Sequence, residues 1–256
     1  MTIPPQKLRK LIDSNSLALG SWITIGDNKV TEILCQAGYD WLAIDIEHST
    51  INIEKVGELI QIISLNRVTP LVRLTDHNWS SVKRVMDAGA GGVIVPNITT
   101  SEQVVSAIKS TRYPPEGTRG VGLARAQDYG DNFHEYLKWQ KKGPIVIAQI
   151  ENIDAITNLD NIFSTKGLDG FMIGPYDLSC SMGIPGDFLN NDFNKALDEI
   201  LLKGKKYGLS IGTHVVEPDL NLLQQKITQG YNFIAYSVDI RMLSVAARKA
   251  KTIFNK

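Results

Sequence analysis

The stretch PIVIAQIENIDAITNLDNIFSTKGLDGFMIGPYD, residues 144–177, holds two short apolar runs of β type separated by one helix-length segment. The runs 144–151 and 170–177 each stop at a carboxylate, Glu151 and Asp177. Between them, 153–164 spaces its apolar residues as a helix does. Strands that are apolar on both faces belong in a parallel sheet covered by helices. A short helix is expected to begin at Tyr176-Asp177-Leu178, so its free backbone N–H groups would face the end of the strand. Two carboxylates beside a helix start suit a divalent metal holding a small acid. Taken singly, Asp177 could equally N-cap its helix and Glu151 could be solvated.

The same unit repeats along the chain. A short helix at 5–15 precedes a β-rich segment at 17–24 and a helix at 28–39. Strands are then expected at 40–47, 69–74 and 91–97, each followed by a helix, at 53–66, 79–90 and 101–112. After the long loop 113–132 and a helix near 133–142 come the opening stretch and a helix at 193–208. Strand 209–215 with helix 218–229, and strand 232–239 with helix 240–252, complete the series. Eight strand-then-helix units in 256 residues, with no linker or composition shift, predict one domain over 1–256 built as an α/β TIM (β/α)8 barrel. A doubly wound open sheet is the runner-up, but no GxGxxG follows the first strand.

Composition narrows the function. With 27 basic and 27 acidic side chains, the chain has no net charge with which to hold nucleic acid or an anionic membrane. No window approaches the ~18 apolar residues of a membrane span, and the N-terminal segment MTIPPQKLRKLIDSN has no apolar signal region, which points to a cytoplasmic protein. Cys35 and Cys180 follow no metal-ligand spacing, and Cys35 reads as core.

Barrel chemistry gathers at the C-terminal ends of the strands. Those ends carry Asp45, Glu47 and His48; Arg73; Pro96-Asn97; Gln149 and Glu151; Asp177; Thr213-His214; and Ser237 with Asp239. A carboxylate bonded to one nitrogen of His48 would fix its tautomer and raise its basicity, making it a general base; otherwise it caps a loop. Arg73 suits a carboxylate or a developing enolate oxygen, or else an ion pair with Asp45 or Glu47. Zinc is disfavoured, because the histidines form no HxH or HExxH set. Carboxylate oxygens suit Mg²⁺ or Mn²⁺ instead, with Co²⁺ a further choice. No lysine falls on an expected core strand, which argues against Schiff-base chemistry, and an enolate made here would need a metal. The loop 113–132 holds a proline pair and Arg119 and Arg125, which are expected to reach an anionic substrate from an ordered lid or subunit contact.

DIEH (45–48), PLVRL with Arg73, VIVPNITTSEQ (93–103), YPPEGTRGVG (113–122), AQIE (148–151) and GPYDLSCSMG (174–183) together resemble the HpcH/HpaI class II pyruvate aldolases. The resemblance runs from about Gly20 to Asp239. It implies a barrel of the phosphoenolpyruvate/pyruvate type, a divalent metal on Glu151 and Asp177, and His48 as general base. It also implies Arg73 on the pyruvyl oxygen, Gln149 beside the site, and the backbone at Tyr176 and Asp177 on the pyruvate carboxylate. Asp45 and Asp87 both match acids of the family motif, and either could orient His48. Two departures bear on the aldehyde half of the substrate. Tyr176 stands where the family often has alanine, and Asn97 where it commonly has methionine. The resemblance further implies a homo-oligomer, a hexamer arranged as a trimer of dimers that swap the last helix.

The expected reaction is reversible cleavage of a 2-keto-3-deoxy acid to pyruvate and an aldehyde. Decarboxylation of oxaloacetate, or another C–C lyase step, is the alternative. A non-catalytic oxoacid sensor would have no need of the base His48.

Overall fold

A computed structural model describes residues 3–77, 79–249 and 251. The strands are β1 (Ala18–Ile23), β2 (Trp41–Asp45), β3 (Thr69–Arg73), β4 (Gly92–Val95), β5 (Ile145–Ile150), β6 (Gly170–Ile173), β7 (Ser210–Val215) and β8 (Phe233–Val238). Each lies parallel to the next, and β8 pairs back onto β1, so the sheet closes. The expected eight-stranded TIM barrel is the fold. The helices are α1 (Lys7–Asp13), α2 (Asn28–Gln36), α3 (Ile53–Leu65), α4 (Trp79–Ala88), α5 (Ser101–Thr111), α6 (Phe133–Trp139), α7 (Ile153–Phe163), α8 (Pro175–Ser181), α9 (Asn191–Lys206), α10 (Leu220–Thr228) and α11 (Asp239–Lys249).

Period two sorts each strand into two cores. Trp41, Ala43, Leu71, Ile145, Ile147, Met172, Phe233 and Ala235 join one cluster inside the barrel, which Leu8 and Ile12 of α1 close from below. The alternate residues, such as Leu42, Ile44, Val72 and Val146, pack outward against the helices. Trp41 stacks on Phe233 with centroids 4.4 Å apart, and a Cβ at Gly20 would overlap the Trp41 ring, so glycine makes room for it. Continued upward, the inward series reaches Asp45, Arg73, Gln149 and His214, where the lumen turns polar.

Boundaries differ from the expected ones where side chains intervene. The second strand stops at Asp45 rather than Glu47, because the Asp45 carboxylate accepts the N–H groups of Glu47 (3.0 Å) and His48 (3.2 Å) and turns the chain. The helix after β6 starts at Pro175, one residue early, as proline is favoured at the first helical position. The last helix is described to Lys249; Ala250 and residue 252 of its expected span lie outside the described residues.

The loop 113–132 is ordered, as expected, but its arginines turn away from any substrate. Arg119 is fully buried: it donates to Asp87 (2.6 Å) and to the Tyr136 hydroxyl (2.7 Å) and lies 4.6 Å over the Tyr113 ring. Arg125 donates to the carbonyl of Ala88 at 3.1 Å. Both pin the loop to the end of α4. Among the described residues no helix is long and apolar enough to cross a membrane.

Candidate active site

Asp45, 1% exposed, organises the mouth of the barrel. Besides turning the chain, it clamps Arg73 through Nε (3.0 Å) and Nη2 (2.6 Å). The Arg73 guanidinium lies 4.6 Å over the ring of Trp22, so it is held from below as well as from the side. The ion pair weighed for Arg73 from the sequence is present, and the fork still borders the small cavity of the mouth.

Glu47 lies 3.4 Å from Arg73 Nε and 3.7 Å from His48 Nε2. Burial pushes its carboxyl up to about 7; Arg73 opposes this, while Glu151, Asp45 and Asp177 add to it. The His48 side chain is 62% exposed, so the ring stands at the rim. Asp45 touches His48 through the backbone N–H. Asp87, the other acid weighed for orienting His48, accepts from Arg119 instead.

Glu151 is 7% exposed just beyond β5. One oxygen accepts the N–H of Asn97 at 2.6 Å, and the other accepts from Gln149 Nε2. Asn97 has φ +48°, a conformation asparagine tolerates, and this aims its N–H at the acid. A Cβ at Gly174 would come within 2.6 Å of Glu151 Oε2, so glycine clears the space. Burial raises the Glu151 carboxyl, the two hydrogen bonds lower it, and the charge of Asp177 raises it. Asp177 sits in the first turn of α8, and the exposed Tyr176 beside it packs edge-on to Phe188 at 5.0 Å.

His214, on β7, faces the same mouth. Burial lowers its imidazole to about 4, so it is neutral near pH 7. Its Nε2 lies 3.1 Å from the carbonyl of Ser237; a carbonyl only accepts, so Nε2 carries the proton and Nδ1 keeps a lone pair. Ser237 and Asp239 are structural: the serine hydroxyl donates to the carbonyl of Val216, and Asp239 accepts the N–H groups of Thr24 (2.8 Å) and Ile25 (2.7 Å).

Trp22, Arg73, Gln149, Asp177 and His214 border a cavity of about 100 Å³. Among the described residues, three buried polar atoms at this mouth have no hydrogen-bond partner, Trp22 Nε1, Gln149 Oε1 and Glu47 Oε2, the last facing Arg73 Nε at 3.4 Å. Buried polar groups are normally paired, so these are open to a ligand or water. Among the described residues no group of three or more His, Cys, Asp or Glu side chains is set to hold a metal. The carboxylates that could hold a hard divalent ion, with water and ligand completing its shell, are Glu151 and Asp177, and the charge of Asp177 raises the Glu151 carboxyl. Among the described residues no lysine lies on a strand.

Sequence reading placed Glu47 beside Arg73 and His48, gave His214 no role beyond its strand end, and passed over Trp22. Trp22 was legible as an inward residue of β1 by alternation with Gly20. Its place beneath Arg73 required the closed barrel.

The family described as HpcH/HpaI aldolase/citrate lyase matches residues 19–246. A 2-keto-3-deoxy-L-rhamnonate aldolase of Klebsiella pneumoniae is 33% identical over 238 residues, covering 92% of this chain and 88% of its own. A hydroxypyruvate/pyruvate aldolase of Roseovarius nubinhibens is 32% identical, covering 97% and 96%. The crystal structure of an HpcH/HpaI aldolase/citrate lyase family protein from Burkholderia cenocepacia superposes with a TM-score of 0.91 at 31% identity, covering 97% of this chain and 99% of that one. The chain belongs to the HpcH/HpaI aldolase/citrate lyase family and, like its relatives named aldolases, is a carbon–carbon lyase.

Proposed function

We propose that the chain is a metal-dependent aldolase that reversibly cleaves a 2-keto-3-deoxy acid, a 4-hydroxy-2-oxoacid, to pyruvate and an aldehyde. The observation that carries this reading is the unbonded Trp22 Nε1 and Gln149 Oε1 beside an arginine locked between Asp45 and Trp22. An oxoacid offers acceptors to Arg73 and Trp22 Nε1, and the relatives' names support a pyruvate-type donor.

Arg73 binds the C2 oxygen and faces the negative charge that grows there as the C3–C4 bond breaks. Electrostatic stabilisation of this kind, preset before reaction, is usually the largest catalytic contribution. His48 takes the C4 hydroxyl proton, and the nearby Glu47 carboxylate steadies the imidazolium that results. Gln149 holds Glu151 in place, and the backbone at Tyr176 and Asp177 receives the oxoacid carboxylate. Proton return to C3 completes pyruvate. Bound to Glu151 and Asp177, Mg²⁺ or Mn²⁺, with Co²⁺ a further choice, would supply a Lewis acid toward the C1 carboxylate and C2 carbonyl. Tyr176 and Asn97, on the rim, govern the aldehyde half.

The active form is a homo-oligomer, read as a hexamer. Its support is α11, where Asp239 is the one buried residue and Ile240 and Leu243 are 53% and 60% exposed, and α10, where no residue is buried.

The test is pyruvate release from a panel of 2-keto-3-deoxy sugar acids, coupled to lactate dehydrogenase, with EDTA and with Mg²⁺ or Mn²⁺ restored. Formation of pyruvate that chelation abolishes is the expected result. Steady CO₂ release from oxaloacetate with no aldol cleavage of any panel member would overturn it.

A further inference from the structure

Unpartnered buried polar atoms gather at a second place, the opposite end of the barrel. Arg9 Nε and Arg112 Nε are both buried without a hydrogen-bond partner. Both border a cleft of about 1030 Å³, walled by α1, α5, α6 and the turns leading into β5 and β6. Seven lysines and arginines line it against three acids, although the chain as a whole is neutral. The acids are already committed: Asp13 and Asp169 to Arg9 (2.9 and 2.7 Å), Glu116 to Lys141 (3.7 Å). Lys138 pairs with Glu135 outside the cleft at 2.6 Å. Lys109, Arg112, Lys142 and Lys166 make no ion pair among the described residues.

Arg112 lines the cleft with its Nε unbonded. It caps the C-terminus of α5, and its guanidinium lies against Gly167, where a Cβ would come within 3.1 Å of Nη1. Burial lowers its pKa and the neighbouring Arg9 adds to this, while the charges of Asp169 and Glu116 oppose it; its Nε still has no hydrogen-bond partner. A buried guanidinium N–H without an acceptor is costly, and the guanidinium fork matches carboxylate and phosphate oxygens. A concave wall of one charge focuses its field on what enters. The N-terminal face of a TIM barrel is not where chemistry is built. The six residues of β5 put roughly 17–20 Å between this cleft and Glu151.

We propose that this cleft binds a small polyanion, phosphorylated or polycarboxylate, with Arg112 as its main anchor and Lys109, Lys142 and Lys166 completing the charge. Ile108 and Trp139 offer an apolar wall to the body of the ligand.

The test is calorimetric titration of the intact, metal-loaded enzyme with inorganic phosphate and, separately, with propane-1,2,3-tricarboxylate, keeping saturating pyruvate present to occupy the mouth. Saturable binding of one probe is expected, and which probe binds names the source of the charge. Arg112→Gln should weaken it about tenfold or more while pyruvate release stays unchanged. Lys195→Gln, on the surface beside Asp192, should leave it alone. No saturable binding of either probe, or equal binding in Arg112→Gln, overturns the proposal. If that variant fails to fold, Lys142→Gln with Lys166→Gln takes its place, and undiminished binding there overturns it equally.

Discussion

Asp45 meets three demands at once: it ends β2, turns the chain toward His48 and clamps Arg73. His48 stands at the rim with Glu47 in reach, so replacing it by alanine should cut pyruvate formation about 10²-fold or more, the usual worth of positioned acid–base catalysis. Retention of over a tenth of the rate in steady-state assays would remove it as the base. Glu47 and His214 titrate in opposite senses. Glu47 rises from 4.5 to about 7, so the folded state holds its proton more tightly; that stability is complete below 4.5 and lost as pH climbs through 7. In metal-free protein, Glu47→Gln should flatten the fall in Tm over that window, a difference of no more than about 3 kcal/mol before solvent screening. His214 falls from 6.5 to about 4, so its contribution is complete above 6.5 and lost as pH drops toward 4. His214→Asn should therefore flatten the acid limb of the same Tm profile; an unchanged limb in either variant would refute its assignment.

At the scale of elements, the arginines of the loop 113–132 act as fasteners. Arg119 ties that loop to α4 through Asp87 and to α6 through Tyr136, while Tyr113 stacks beneath it. Removing one partner of a buried ion pair leaves the other uncompensated, at a cost of roughly 3–5 kcal/mol. Arg119→Met should lower Tm by about 10 °C in a chain of this size. Its KM should stay near that of the unsubstituted enzyme, because no bond of Arg119 leads to the mouth. A large KM change with unaltered Tm would return Arg119 to the substrate. The repeated caps follow the same local logic. Asp27, Asn52, Thr100, Asn152, Asn190 and Asp219 each take backbone N–H groups at a helix start, and together they set where six of the helices begin.

Across the whole molecule, the barrel buries its strands almost completely, whereas Leu220 on α10 and Ile240 and Leu243 on α11 stay exposed. Exposed apolar faces on otherwise amphipathic helices mark contact surfaces. Leu243→Glu should lower the mass measured by light scattering while the far-ultraviolet circular dichroism of the barrel persists. A particle of unchanged mass would free α11 from any role in assembly.

How much of this was legible in the sequence follows from the range of each interaction. Period-two alternation, helix spacing, caps and strand-end acids are local, so the eight-fold βα series and the strand-end set Asp45, Arg73, Gln149, Glu151 and Asp177 could be read directly from the chain. Partnerships between distant segments could not. Asp239, which reads as one more acid at the mouth, turns inward to cap the chain after β1, more than two hundred residues away. Arg119 reads as a substrate arginine and is consumed by Asp87. Trp22 beneath Arg73, the neutral His214 and the basic cleft at the far end depend on which strands and turns become neighbours when β8 meets β1. Local patterning determined the fold and the end of the barrel where chemistry gathers. Closure of the sheet decided which charges met and which were left unpaired, because burial and partner distance exist only once the chain is folded.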